Sequence, residues 1–291
     1  MNKVAFFTTD VESFFDTSCV KEKGIRFDKN HDGAEGFAAY LSLLDEYDIR
    51  ATLFLTVDTA NRWQEILKKA LKNGHRLAVH AYNHEDVTRF SSEEFISDVT
   101  KAKNIVEEIY GIKVAGYRAP CFGINESKIE ILKSAGYCYD SSALNFGNAF
   151  RSDCLPLGKY NKINDAVYEK DGFFEVKPCV AKTFFGRIPV CGGGYLRLAP
   201  WAAVKPSVKK YIKNANAYLF YVHPFETYCG ELPKYKELSL FERLFVSRGR
   251  KSYLKKIRNI IEMLIKNGYE FSSIEDYLTD LKENHGRINA R

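Results

Sequence analysis

The sequence has no Cys-x-x-Cys pair, although seven cysteines are scattered through its 291 residues. Their odd number and irregular spacing (19, 121, 138, 154, 179, 191 and 229) argue against a disulfide framework and against a cysteine-built zinc cluster. Buried or half-buried thiols in a reducing compartment are expected instead. Long apolar runs are also missing. Only four apolar residues separate Met1-Asn2-Lys3 from Thr8, too few for a signal-peptide core, and no run approaches the roughly 18 residues of a membrane span. The expectation is a cytoplasmic protein, able to touch a membrane surface. Strong charge imbalance is absent too: 43 basic against 37 acidic residues give a formal charge of +6. With the basic residues spread out and no recognition motif present, nucleic acid is not expected as a partner. Repeats, low-complexity tracts and linkers are lacking as well, which favours a single domain over residues 1–291.

What the chain does have is core material. Hydrophobic residues make up 45% and aromatics 14%, enough for one large core, and 27% charged residues do not suggest disorder. Short apolar runs alternate with helical patterns. Strands are expected at Val4–Thr9, Ala51–Val57, Arg76–His80, Lys113–Tyr117 and Ala217–Val222, with a last short one at Phe271–Ile274. Helices are expected at Glu35–Tyr47, Trp63–Leu71, Ser91–Tyr110, Ile124–Ser134, Lys251–Lys266 and Glu275–Leu281. The Ser91 helix opens on a capping-type Ser-Ser-Glu-Glu and stops at Gly111. Strands separated by helices of this length indicate βαβ units and an α/β fold with a parallel sheet or barrel. Around residues 140–200 the pattern loosens into an irregular insertion rich in aromatics and turns.

Three polar clusters follow strands: Thr8-Thr9-Asp10-Val11-Glu12, His80-Ala81-Tyr82-Asn83-His84, and Tyr117-Arg118-Ala119-Pro120. Parallel α/β folds build their sites at that end of the sheet. Asp10 and Glu12 are two apart, so on an extended chain both carboxylates face one side while Val11 faces away. His80 and His84 are four apart and can converge on one cation; with a carboxylate they make a ligand set typical of catalytic zinc, with a position left for water. Arg118, fixed by the following Ala-Pro, suits the orienting of a carboxylate. His223 ends the Ala217–Val222 run and faces the same rim, with an ordinary pKa in the range a proton donor needs. Gly192-Gly193-Gly194 before Tyr195 is either a backbone wall near a substrate or a plain turn. His31, His75 and His285 lack partners.

These motifs resemble the polysaccharide deacetylases, whose NodB homology domain is also called carbohydrate esterase family 4. The likeness covers roughly Val4–Leu144 and resumes at Leu219–Glu226. It implies a distorted (β/α) barrel and a divalent metal, most naturally Zn²⁺, that assists removal of acyl groups from N-acylated sugars or oligosaccharides. Asp10 stands at the position of the catalytic base in the family's T-F-D-D motif. The adjacent Asp is Val11 here, leaving Glu12 as the candidate ligand beside His80 and His84, which match H-[ST]-x-x-H with Ala81 in the Ser/Thr place. Arg118-Ala119-Pro120 matches R-x-P, whose Arg orients the base, and Tyr221-Val222-His223 matches L-x-H, whose histidine is the general acid. The D-x-x-W motif is absent, Asp140-Ser141-Ser142 being the nearest match. Gly192–Arg197 together with His223–Glu226 resembles a branch associated with exopolysaccharide biosynthesis.

The resulting expectation is a metal-dependent N-deacetylase. Its catalytic residues are Asp10, His223 and Arg118, its metal ligands Glu12, His80 and His84, and its substrate-binding residues Tyr195 and Asp140. Tyr139, Phe146 and Phe150 are further candidates for stacking on sugar rings. The basic segment Arg243–Lys266, eight Lys/Arg against one acid, is either a solvated helix face or a contact for anionic lipid or a lipid-linked substrate. Two rival readings are a deformylase or amidase acting on a lipid-linked aminosugar or other N-acyl compound, and a carbohydrate-binding barrel without activity, which the Val11 departure would fit.

Overall fold

The computed structural model describes residues 2–144, 155–183, 186–233 and 235–289. Its strands are β1 (Lys3–Val11), β2 (Thr52–Leu55), β3 (Arg76–Val79), β4 (Gly116–Tyr117), β5 (Tyr139–Asp140), β6 (Asn161–Lys162), β7 (Val167–Lys170), β8 (Phe173–Val176), β9 (Val180–Thr183), β10 (Gly186–Pro189), β11 (Ala217–Val222) and β12 (Tyr269–Phe271). The helices are α1 (Ser18–Lys21), α2 (Ala34–Asp45), α3 (Val57–Arg62), α4 (Gln64–Lys72), α5 (Ser92–Tyr110), α6 (Glu126–Ser134), α7 (Gly193–Leu198), α8 (Trp201–Asn214), α9 (Leu240–Ser247), α10 (Tyr253–Lys266) and α11 (Ile274–Asn289).

β1 is buried at every position after its first, as a central strand covered on both faces must be. It pairs in parallel with β11 on one side, and on the other with β12 at its start and β2 at its end. The sheet continues β2-β3-β4-β5-β8 in parallel register and then turns antiparallel through β7 and β6. It curls into a half-barrel in a mixed α/β fold. The free edge of β11 is covered by irregular chain rather than by β8. Leu219 N–H donates to Cys179 Sγ at 3.0 Å, Tyr221 N–H donates to Cys191 O at 2.7 Å, and Gly192 bridges Tyr221. Covering the edge this way leaves no open row of backbone donors and acceptors there.

The helices follow the capping signals in the sequence. Ser91 Oγ accepts the Glu94 N–H at 3.2 Å while Glu94 returns a bond to the Ser91 N–H at 2.8 Å, and α5 ends at Gly111 with φ 64°. On α10, Ile257, Ile260, Ile261 and Leu264 are buried. A smaller apolar cluster, Phe14, Phe15, Val20, Phe225, Leu238 and Val246, sits apart from the main core on the carboxyl-end rim of the sheet.

Several boundaries differ from expectation. The Lys113–Tyr117 strand is reduced to Gly116–Tyr117, and the third strand ends at Val79, one residue short of His80. The final strand lies at Tyr269–Phe271 rather than Phe271–Ile274, and Val57 begins α3 instead of ending β2. The region around 140–200 is less irregular than its composition suggests: β5–β10 lie in it, two of them only two residues long.

Gly192 has φ 112°, and a Cβ there would stand 2.0 Å from the Tyr221 carbonyl oxygen. Both the backbone conformation and the close approach require glycine. Gly192→Ala is therefore expected to destabilise the protein by about 2–4 kcal/mol, read as a lower urea midpoint at unchanged slope.

Candidate active site

The period-two alternation of β1 sets Thr8 and Asp10 on one face, and a single guanidinium confirms it. Arg118 Nη1 donates to Thr8 Oγ1 at 3.0 Å and to Asp10 Oδ1 at 2.5 Å. Beyond the strand, the Glu12 N–H turns back to the Asp10 carbonyl at 2.9 Å, which swings the Glu12 carboxylate to the Asp10 side. Val11 is fully buried. Arg118 itself has no exposed surface. Its Nε and Nη2 donate to Ser141 O and Oγ at 3.0 and 2.8 Å, and it lies 4.0 Å above the centroid of the Phe54 ring. Every guanidinium direction toward the strand ends is thus fixed before a substrate arrives.

His80 follows β3 directly. Its Nδ1 lies 2.8 Å from the Arg118 carbonyl oxygen, an atom that can only accept, so Nδ1 carries the proton and Nε2 presents its lone pair. That Nε2 is 3.6 Å from Glu12 Oε2. Two left-handed residues, Ala81 (φ 68°) and His84 (φ 48°), fold the loop back so that His84 Nε2 reaches the same oxygen at 2.5 Å. Among the described residues, Glu12, His80 and His84 form the one group with metal-ligand spacing, each offering an atom within 4.8 Å of the others. Burial raises the Glu12 carboxyl pKa, but His84, His223 and His80 outweigh burial and hold it well below the usual range. For His84, burial opposes protonation and Glu12 more than reverses this. Glu12 Oε2 is buried and accepts no conventional hydrogen bond. An orphaned carboxylate oxygen between two imidazole nitrogens fits a divalent cation with an open position.

His223 follows β11 and caps the cluster. Its Nε2 is 3.8 Å from Asp10 Oδ2 and 4.0 Å from Glu12 Oε1. On the other side, Glu226 Oε2 takes both the Nδ1 proton and the backbone N–H of His223 at 3.0 Å. Glu226 is in turn held by Arg197 Nε at 2.9 Å, and Arg197 Nη1 donates to the Arg248 carbonyl at 2.6 Å. Burial alone would lower the His223 pKa, but Glu12, Glu226 and Asp10 lift it to about 9. The ring is therefore charged at neutral pH, ready to give up a proton.

Asp10, Glu12, His80, His84, Arg118 and His223 thus come together. Asp140 does not join them. It is fully buried, and its two oxygens accept the Ser142 N–H at 2.9 Å and the Ser142 O–H at 2.7 Å. The acid beside His223 is Glu226, not Asp140. Tyr139 is likewise buried, its hydroxyl donating to Glu275 at 2.7 Å, so it offers no face to a sugar. Tyr195 is 45% exposed on α7, the helix that begins next to the Gly192–Tyr221 bridge. Phe146 and Phe150 lie outside the described residues. His31 and His75 bond within the scaffold, to Asp28 at 2.7 Å and the Ala51 N–H at 3.0 Å. The sequence signal for Glu226 was its place three residues after His223 across a Pro; Arg197 was marked only as the end of the Gly192–Arg197 stretch, with no role attached.

Residues 17–139 match the family described as polysaccharide deacetylase, and residues 157–279 match a domain of unknown function (DUF3473). The match to the polysaccharide deacetylases takes in residues 17–139, less than half of the chain. That match starts after Asp10 and Glu12 and ends before His223, so those positions rest on geometry. A peptidoglycan deacetylase of Helicobacter pylori is 24% identical over 177 residues, 60% of this chain and 59% of that protein. A peptidoglycan-N-acetylglucosamine deacetylase of Bacillus cereus is 25% identical over 109 residues, 38% of this chain and 39% of that one. The chain spans less than two thirds of either relative. In fold, it superposes on a Mycobacterium smegmatis protein described as a polysaccharide deacetylase with a TM-score of 0.67 at 18% identity, over 98% of this chain and 92% of the other. A carbohydrate esterase family 4 pseudoenzyme from Bacillus anthracis superposes with a TM-score of 0.54 at 13% identity, over 95% and 66%.

Glu226→Gln removes one of the charges that favour imidazolium. In the metal-free protein, the His223 ring pKa is expected to fall by roughly one to three pH units. An NMR titration that leaves it near 9 would show that Glu226 has no such influence.

Proposed function

We propose that this chain is a metal-dependent hydrolase that removes an N-acetyl group from a sugar unit of a polysaccharide or its precursor. The observation that carries this reading is the convergence of three groups. Asp10 is anchored by a buried arginine, Glu12 shares one oxygen with two imidazoles, and His223 stands 3.8 Å from Asp10. The substrate class follows from the relatives' names, which specify deacetylation of peptidoglycan sugars.

Glu12, His80 and His84 would hold the cation, with Zn²⁺ the best match to two imidazoles and a carboxylate. A divalent ion supplies Lewis acidity, polarising an acyl carbonyl and making water a nucleophile at neutral pH. The protein residues do the rest. Asp10 takes the proton of the attacking water, and Arg118 fixes the direction of its lone pairs. Because an arginine keeps its proton, Arg118 cannot compete for that role. His223, charged and steadied by Glu226, gives its proton to the departing sugar amine, without which the amine is a poor leaving group. Tyr195 offers an exposed ring near the His223 rim for stacking on a sugar. Glu12 stands in for the aspartate that Val11 displaces, which favours an enzyme over a binding-only barrel.

Metal analysis and acetate release test the reading together. Purified protein should retain about one divalent ion per chain and release acetate from N-acetylated oligosaccharides, with chelation abolishing the activity. His80→Ala and His84→Ala should each lose metal retention, whereas Asp10→Asn should keep the ion and lose about 10²–10⁴ in kcat. Unchanged metal content in both histidine variants would refute the ligand assignment. The proton affinity of His84 is raised by Glu12, so protons compete with the cation there. Metal content should consequently fall as pH is lowered and recover as it is raised, measured by equilibrium dialysis.

A further inference from the structure

Among the described residues, the most exposed large apolar side chains cluster on one short helix. On α9, Leu240 is 75%, Phe241 78% and Leu244 51% exposed. Leu244 neighbours Leu240 at i,i+4 and Phe241 at i,i+3 on the helix surface, so these three form a patch rather than scattered exposure. The opposite face is anchored: Val246 packs with Phe14, Phe15, Val20, Phe225 and Leu238 in the rim cluster. Helix α9 is also close to the candidate active site. The Phe225 ring of that cluster stacks on His223 at 5.9 Å, and Phe245 of α9 comes within 3.5 Å of where a Cβ on Gly194 of α7 would lie.

Charge surrounds the patch. Exposed Lys23, Lys236, Arg243, Arg248 and Lys251 lie on or beside α9, against Glu237 and Glu242, and Glu242 is 3.9 Å from Lys23. We infer that α9 is a docking element for an anionic lipid surface, with Leu240, Phe241 and Leu244 entering the headgroup boundary and the surrounding cations meeting lipid phosphates. A second copy of the chain would set this basic rim against itself, whereas an anionic bilayer neutralises it. The inference also deepens the proposed function, and that part rests on it: docking through α9 directs the deacetylase site at membrane-attached glycans.

The test uses the full chain and vesicles of phosphatidylcholine with about one third phosphatidylglycerol, against phosphatidylcholine alone. Wild type should co-sediment with the anionic vesicles at low salt and be released at about 1 M salt, where screening acts over about 3 Å. The triple variant Leu240→Ser/Phe241→Ser/Leu244→Ser should bind about tenfold more weakly or worse, with an unchanged melting curve because all three side chains are exposed. Lys236→Glu/Lys251→Glu should weaken binding to anionic vesicles in the same direction. Failure of wild type to sediment with anionic vesicles at low salt overturns the inference, as does equal binding by the triple variant. Light scattering that finds a wild-type dimer and a monomeric triple variant also overturns it, assigning the face to self-association. Acetate release from a soluble N-acetylated oligosaccharide is measured alongside and should not change in the triple variant. Activity without vesicle binding sinks only the docking inference; vesicle binding without activity sinks only the deacetylase reading.

Discussion

A guanidinium with no exposed surface holds the candidate site together. Arg118 reaches Thr8 and Asp10 at the end of β1 and Ser141 just past β5, while its own carbonyl fixes the tautomer of His80. One residue therefore sets the direction of the candidate base and the lone pair of a candidate ligand at once. Such an arrangement is costly to break. Removing either partner of a buried ion pair leaves an uncompensated charge, a loss of roughly 3–5 kcal/mol. The Ser141 contacts and the Phe54 ring beneath the guanidinium share in offsetting the desolvation that such a burial entails.

Three carboxylates lie within a few ångströms of His223, and each has its own positive partner. Asp10 is paired with Arg118, Glu12 with His84, and Glu226 with Arg197 and His223. Separate partners are what allow like charges to crowd without shared protonation, and they give each acid a different part. Glu226 is buried yet held below the ordinary carboxylate range; burial pushes it up, and His223 and Arg197 more than reverse the effect. Arg197 plays toward His223 the part that Arg118 plays toward Asp10, one step removed.

Much of this was legible in the sequence because the site is built from strand ends. The alternation Thr8, Asp10 and the placement of Glu12, His80, Arg118 and His223 directly after apolar runs carried the positional information, and parallel α/β folds collect such residues at one end. The long, capped helix α5 was equally plain. What escaped is what depends on contacts distant in sequence or on elements too short for a period. Strands of two residues such as β4, β5 and β6 have no alternation to detect. Arg197 meets Glu226 only through the packing of α7 on the segment after His223. Asp140 carried a misleading local pattern: of its Ser-Ser neighbours, read as the remnant of a functional motif, Ser142 occupies both of its oxygens.

The pairing of β1 has a consequence for how the chain comes into being. The strand bearing Asp10 is made before the other strands of its sheet, yet one of its long edges is completed only by β11 and part of the other only by β12. A nascent chain emerging from the ribosome holds its Glu12–His80–His84 set well before the backbone that flanks it exists. Such non-local closure makes assembly slow relative to helical proteins and leaves an adhesive strand border waiting during synthesis. The growing polypeptide must keep that border from other chains until β11 and β12 have been translated.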